Sequence, residues 1–135
     1  MAEYKVGEHT YSPEQILEIN RIFHNVQCHV YDHMQEHMHQ EEEAAWQSLA
    51  RRALLLAGGD GSRAVMDYGC GTGMVAGVFS RVLGITERLI CMDISEGMLE
   101  RSRQRLEGSP VPVEYICGEA FSTGPEGPLD IVALN

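Results

Sequence analysis

Two hydrophobic periods divide this chain near residue 60. On the N-terminal side, Ile16, Ile19, Phe23, Val26, Val30, Met34 and Met38 recur at steps of three and four, the spacing of one face of an α-helix. Ser12-Pro13-Glu14-Gln15 supplies its start: a serine N-cap, a proline where the missing N–H costs nothing, and a glutamine placed to complete a capping box. The helix is expected to run on without a strong break towards a second one, from about 41 to 57, whose buried stripe is Trp46, Leu49, Ala53 and Leu56. Gly58-Gly59-Asp60-Gly61-Ser62 ends it and acts as a linker. Both stripes, methionines included, are expected to face a core.

Beyond residue 63 short apolar runs alternate with helical patterns. A strand at 64–68 leads through a glycine loop into a helix whose face is Met74, Val75, Val78, Phe79, Val82 and Leu83, closed by Gly84. A strand at 88–93 precedes a helix with Ser95 as N-cap, Glu96 in its first turn and Gly108 as its stop. A third strand spans 112–117, a loop rich in Gly, Pro and Ser follows, and a fourth strand runs from Leu129 to Leu134. Such βαβα alternation predicts an α/β fold with a parallel sheet and right-handed crossovers. The organisation is a helical segment, 1–60, followed by a sheet-bearing unit, 61–135.

Composition narrows the chemistry. At 135 residues, with 44% apolar and 22% charged residues, the chain has the profile of an ordinary globular domain. Twenty acidic against ten basic residues give a formal charge of −10, a poor surface for nucleic-acid phosphates. Cys28, Cys70, Cys91 and Cys117 stand singly, and no C-x-x-C pair suggests a zinc ribbon or disulfide framework. The start MAEYKVGEH is polar, and no apolar run approaches the roughly 18 to 20 residues needed to span a bilayer. A cytoplasmic setting is the expectation.

The chemistry concentrates in Val65-Met66-Asp67-Tyr68-Gly69-Cys70-Gly71-Thr72-Gly73-Met74. A strand, a glycine turn and a helix start make a ligand cradle, because glycine lets a ligand lie against the main chain and the helix N-terminus offers free N–H groups. Ligands of open parallel sheets sit outside the carboxyl ends of the strands. Asp93 ends the second strand, 20 residues after Gly73, where a carboxylate can accept hydrogen bonds from ribose hydroxyls. The glycines form G-x-G-x-G, with Met74 where a dinucleotide fingerprint needs its third glycine, and no G-x-x-x-x-G-K-[ST] phosphate loop occurs.

VMDYGCGTG, CMDISEGML, ICGEAF and PLDIVALN, in that order, resemble the successive motifs of the class I S-adenosylmethionine-dependent methyltransferases across residues 64 to 135. The resemblance implies a Rossmann-like sheet of strand order 3-2-1-4, the first half of a fold that continues through three more strands. It also implies S-adenosylmethionine as cofactor. The loop Gly69, Cys70, Gly71 and Gly73 would lie against its methionine part, Asp67 would orient its ammonium, and Asp93 would hold the ribose. Ile94 and Met98 would flank the adenine, with Gly118, Glu119 and Ala120 at its edge and Glu119 as polar partner, while Asn135 would line the crevice towards the acceptor. His29-Val30-Tyr31-Asp32-His33-Met34 resembles the tyrosine-aspartate segment of the helical lid found in many small-molecule methyltransferases of this class, which adds Tyr31 as a cofactor contact and His33 as a second candidate.

His29, His33 and His37 recur at i, i+4 and i+8, so a single continuous helix would present them on one side. No cysteine or H-E-x-x-H pattern completes a tetrahedral set, and no metal is expected. Methyl transfer from a sulfonium chiefly needs alignment in a dry crevice, with a base only where the acceptor must lose a proton, so the weak catalytic candidates are His33 and Asn135. Acceptor identity stays open. The alternatives are a non-catalytic cofactor-binding or interaction module and, disfavoured by Met74, an NAD-dependent oxidoreductase. The apolar fourth strand, as a sheet edge, predicts a homodimer or strand-swapped oligomer through Leu129 to Leu134.

Overall fold

The computed structural model describes residues 3–34, 36–57, 63–82, 86–119 and 124–134. The 58–62 linker, Leu83, Gly84, Ala120 and Asn135 lie outside the described residues. Strands β3 (Arg63–Tyr68), β4 (Thr86–Asp93), β5 (Val113–Cys117) and β6 (Ile131–Leu134) form a parallel sheet of order β5-β4-β3-β6, the 3-2-1-4 arrangement expected. Helices α4 (Met74–Val82) and α5 (Glu96–Arg105) make the crossovers. Strand alternation sorts the core. Val65, Leu89, Cys91 and Ala133 point into one cluster with Val75, Val78 and Phe79 of α4 and Leu99 of α5, while Met66, Ile90 and Met92 form a second with Tyr68, Ile116 and Leu129.

The helical segment departs from expectation in four places. A hairpin missed in the sequence, β1 (Tyr4–Val6) and β2 (His9–Tyr11), turns through Gly7 at φ 61° and stays exposed on both strands apart from half-buried Tyr11. Helix α1 (Pro13–Gln27) starts at the expected capping box, Gln15 N–H donating to Ser12 Oγ and Ser12 N–H to Gln15 Oε1. It then stops. The turn at 28–30 tightens to i→i+3 bonds, His29 N–H to Val26 O and Val30 N–H to Gln27 O, before the short α2 (Tyr31–Met34) and the long α3 (Glu36–Leu56). His29 therefore sits in the turn, His33 in α2 and His37 in α3, so the three share no single helix face; the His37 side chain lies outside the described residues.

The expected stripe of α1 faces outward. No α1 residue is buried, and Ile19, Phe23, Val26, Val30, Met34 and Met38 are exposed. In α3 the inward face is Trp46, Ala50 and Ala53, with Ala50 fully buried against α4, whereas Leu49 and Leu56 are exposed. The small alanines allow the close approach, so side-chain size misled the choice of face. Among the described residues no helix is long and apolar enough to cross a membrane.

Candidate functional site

A cavity of about 350 Å³ opens at the carboxyl ends of β3 and β4. Its floor is the glycine turn: Tyr68, Gly69 and Gly71 from the end of β3, and Met92 and Asp93 from the end of β4. Gly69 and Gly71 take φ +67° and +53°, and a Cβ at either would enter open space. The loop thus bares main chain where a side chain would otherwise stand. Cys70 N–H donates to Met92 O at 3.0 Å and ties the turn to β4.

Asp93 is locked at the mouth. Its Oδ2 accepts from Gly71 N–H at 2.9 Å and its Oδ1 from Ser95 N–H at 2.9 Å, so both oxygens are positioned by backbone yet each keeps acceptor capacity. The chain continues through Ile94 into α5, and Ile94, Met98 and Gly118 close one end of the cavity. Gly118 N–H donates to Asp93 O at 3.0 Å, holding the end of β5 beside it.

The helical segment closes the top with His24 and Tyr31. Two polar anchors set it there. Asn25 Oδ1 accepts from Ser95 Oγ at 2.6 Å and from Gly97 N–H at 3.1 Å, capping α5 from outside. Gly97 is needed for this approach, because a Cβ there would lie 2.6 Å from Cys28 Sγ. Asp32 Oδ1 accepts from Thr72 Oγ1 of the glycine loop at 2.6 Å and from Arg105 at 2.8 Å. Burial, then the negative charges of Glu42, Asp32 and Asp93, push the Tyr31 phenol up, so it stands as a neutral hydroxyl over the cavity.

The sequence candidates separate on this geometry. Tyr31, Gly69, Gly71, Asp93, Ile94, Met98 and Gly118 meet in the wall. Asp67, Cys70 and Gly73 lie behind it. Asp67 is fully buried; its Oδ2 accepts from Ala76 N–H at 2.9 Å, while Oδ1 has no partner among the described residues. Burial pushes its carboxyl up to about 7, against the Ala76 hydrogen bond and with help from the Asp93 charge. Gly73 is constrained by packing, since a Cβ at φ +85° would overlap Ser102 Oγ of α5. Glu119 is half-buried outside the wall. His33 is exposed and lines a different, open groove with Asp32, Glu36, Gln40 and Arg105, and so does not face the cavity. His24 and Asn25 were missed, because the polar residues flanking an apolar stripe read as a solvated face and only the docking of α1 on α5 turns them inward.

A family model described as a methyltransferase domain matches residues 65–135, just over half of the chain. The chain belongs to that family. Its class is that of the S-adenosylmethionine-dependent methyltransferases. It is 30% identical over 120 residues to a ubiquinone/menaquinone biosynthesis C-methyltransferase of Ectopseudomonas oleovorans, covering 87% of this chain and 68% of that protein. It is 28% identical over 125 residues to the enzyme of the same name from Vibrio vulnificus, covering 90% and 46%. The chain thus spans about half the length of that curated relative. The fold superposes on phosphoethanolamine N-methyltransferase 1 of Haemonchus contortus with a TM-score of 0.65 at 18% identity, covering 92% of this chain and 26% of that one. The methyltransferase cofactor fits the residues present: bared glycine main chain, a fixed carboxylate at the end of β4, the apolar pair Ile94 and Met98, and an unpartnered buried acceptor in Asp67 Oδ1.

Proposed function

We propose that this chain binds S-adenosylmethionine in the β3–β4 cavity and serves methyl transfer to a small-molecule acceptor. The observation that carries the reading is Asp93, held by Gly71 and Ser95 N–H groups beside the bared glycine turn. When bound, the cofactor supplies a methyl group already activated on a sulfonium. The chain's own work is then positioning. Asp93 holds the ribose, Gly69 and Gly71 admit the amino-acid end to backbone contact, and Tyr31 covers the cavity and excludes water. Asp67, behind the loop, offers its unpartnered buried Oδ1 on the side where an ammonium would lie. The names of the curated relatives support a quinone-precursor carbon as acceptor.

Calorimetric titration with S-adenosylhomocysteine tests the cofactor assignment. Wild type is expected to bind, and Asp93→Ala to lose at least about tenfold in affinity with an unchanged circular dichroism spectrum. Unchanged affinity sinks the ribose role, and binding of NAD(H) in place of S-adenosylhomocysteine sinks the reading. Cofactor binding without transfer to any acceptor favours the alternative reading, a non-catalytic cofactor-binding module. The reading includes self-association as a homodimer or strand-swapped oligomer, because β6 pairs with β3 at the sheet edge and exposes Val132 and Leu134. Light scattering that finds a monodisperse monomer at high concentration removes that part alone.

A further inference from the structure

His24 enters the cavity from α1, and its place follows from how that helix docks. Its neighbour Asn25 caps α5 through Ser95 and Gly97. One turn earlier, Arg21 lies close enough to Cys117, at the end of β5, for the two to interact electrostatically. The intervening His24 therefore stands where the end of β5 meets the start of α5, beside Ile94, Met98 and Gly118. The imidazole is held on two sides. Phe23 meets it edge-on at 5.4 Å between centroids and 73° between planes, and Nδ1 lies 3.1 Å from Gln27 Oε1. An amide oxygen only accepts, so the contact matches the Nδ1–H tautomer, in which Nε2 is an acceptor with no donor among the described residues.

The cavity has one apolar end. With the ribose at Asp93 and the glycine turn on one side, a planar base falls on the other, between Ile94 and Met98. Glu119, the partner expected from the sequence, is outside the wall. We propose that His24 Nε2 accepts the hydrogen bond from the exocyclic amine of the cofactor's adenine, so that a residue of the helical segment reads the base. The assignment rests on the cofactor reading above. It explains why the ring is oriented by Gln27: an acceptor at this edge favours an amino group and opposes a carbonyl, which would bring two lone pairs together.

The test is the ratio of two affinities. S-adenosylhomocysteine and its inosine analogue, in which a carbonyl replaces the 6-amino group, are titrated calorimetrically into wild type, His24→Ala, His24→Gln and Asp93→Ala. Wild type is expected to favour the adenosine compound by about tenfold or more, and His24→Ala to narrow that preference to within about threefold. His24→Gln, which keeps an acceptor oxygen, is expected to recover part of it, and Asp93→Ala to weaken both compounds alike. A purely structural role for His24 would weaken both equally; an unchanged ratio in His24→Ala overturns this assignment alone. Failure of wild type to bind either compound overturns the cofactor reading and this assignment with it.

Discussion

Helices α1 and α4 both carry apolar stripes, yet none of the 15 residues of α1 is buried, while Met74 through Ser80 of α4 all are. Helix α4 meets strands β3 and β4 through Val75, Val78 and Phe79, and its position is set by area removed from water. Helix α1 is fixed by polar contacts on its other side, from Asn25 to Ser95 and Gly97, with Asp32 just beyond it on Thr72 and Arg105. A few hydrogen bonds, each worth about 0.5–1.5 kcal/mol, position a segment without committing it to the core. That is what the proposed cover over the cavity would require: defined when closed, inexpensive to lift.

The largest effects should fall on the α4 side. Phe79→Ala, at a residue 2% exposed, is expected to cost about 3–5 kcal/mol in urea denaturation. Gly73→Ala combines a positive φ with overlap on Ser102 and should cost about 2–4 kcal/mol. A loss below 1 kcal/mol at Gly73 would mean that the loop shifts readily, and would erase the rigid half of the contrast.

The same contrast explains what was legible in the sequence. Strands, crossover helices and the placing of Asp93 at the glycine turn could be read, because period-two and period-three-to-four patterns are direct records of burial in a covered sheet, while the strand order came from the family resemblance. In the helical segment the period persisted through the turn at 28–30 and onto an exposed face, so it forecast helix but neither break nor direction. The choice of Leu49 over Ala50 failed because close packing against α4 selects a small residue. Docking contacts such as Asn25 with Gly97, 72 positions apart, leave no periodic trace.

Asp67 sharpens the comparison through pH. Its carboxyl, at about 7 in the fold, holds a proton that the unfolded chain has already released near pH 4. The folded state binds more protons between those values, so this contribution is complete below about pH 4 and is lost as pH rises towards and through 7. Asp67→Asn carries no such titration. Relative to wild type it should gain about 2–3 kcal/mol of stability between pH 5 and pH 8, measured by urea midpoints across that range. A flat difference would show that the buried carboxyl titrates normally.

Asp32 tests the polar anchoring itself. Its ion pair with Arg105 is partly exposed, so Asp32→Ala should cost no more than about 1 kcal/mol of global stability. The local effect should be clearer: faster amide exchange across 24–34 and S-adenosylhomocysteine affinity weakened about threefold to tenfold, through the lost hold on Thr72 and the neighbouring Tyr31. Slower or unchanged exchange would assign the closed cover to other contacts.

The smallest expected effect is the one most able to overturn the contrast. Val26 and Met34 are 68% and 70% exposed, so Val26→Ser combined with Met34→Ser should shift stability by under about 0.5 kcal/mol. Their apolar surface would then be a standing exposure, with little to lose on truncation. If the double substitution instead costs more than 1 kcal/mol, and the loss grows with protein concentration, the stripe is covered in solution by a second copy. In that case α1 would resemble α4 after all, each helix burying its apolar face, but α1 doing so only between chains.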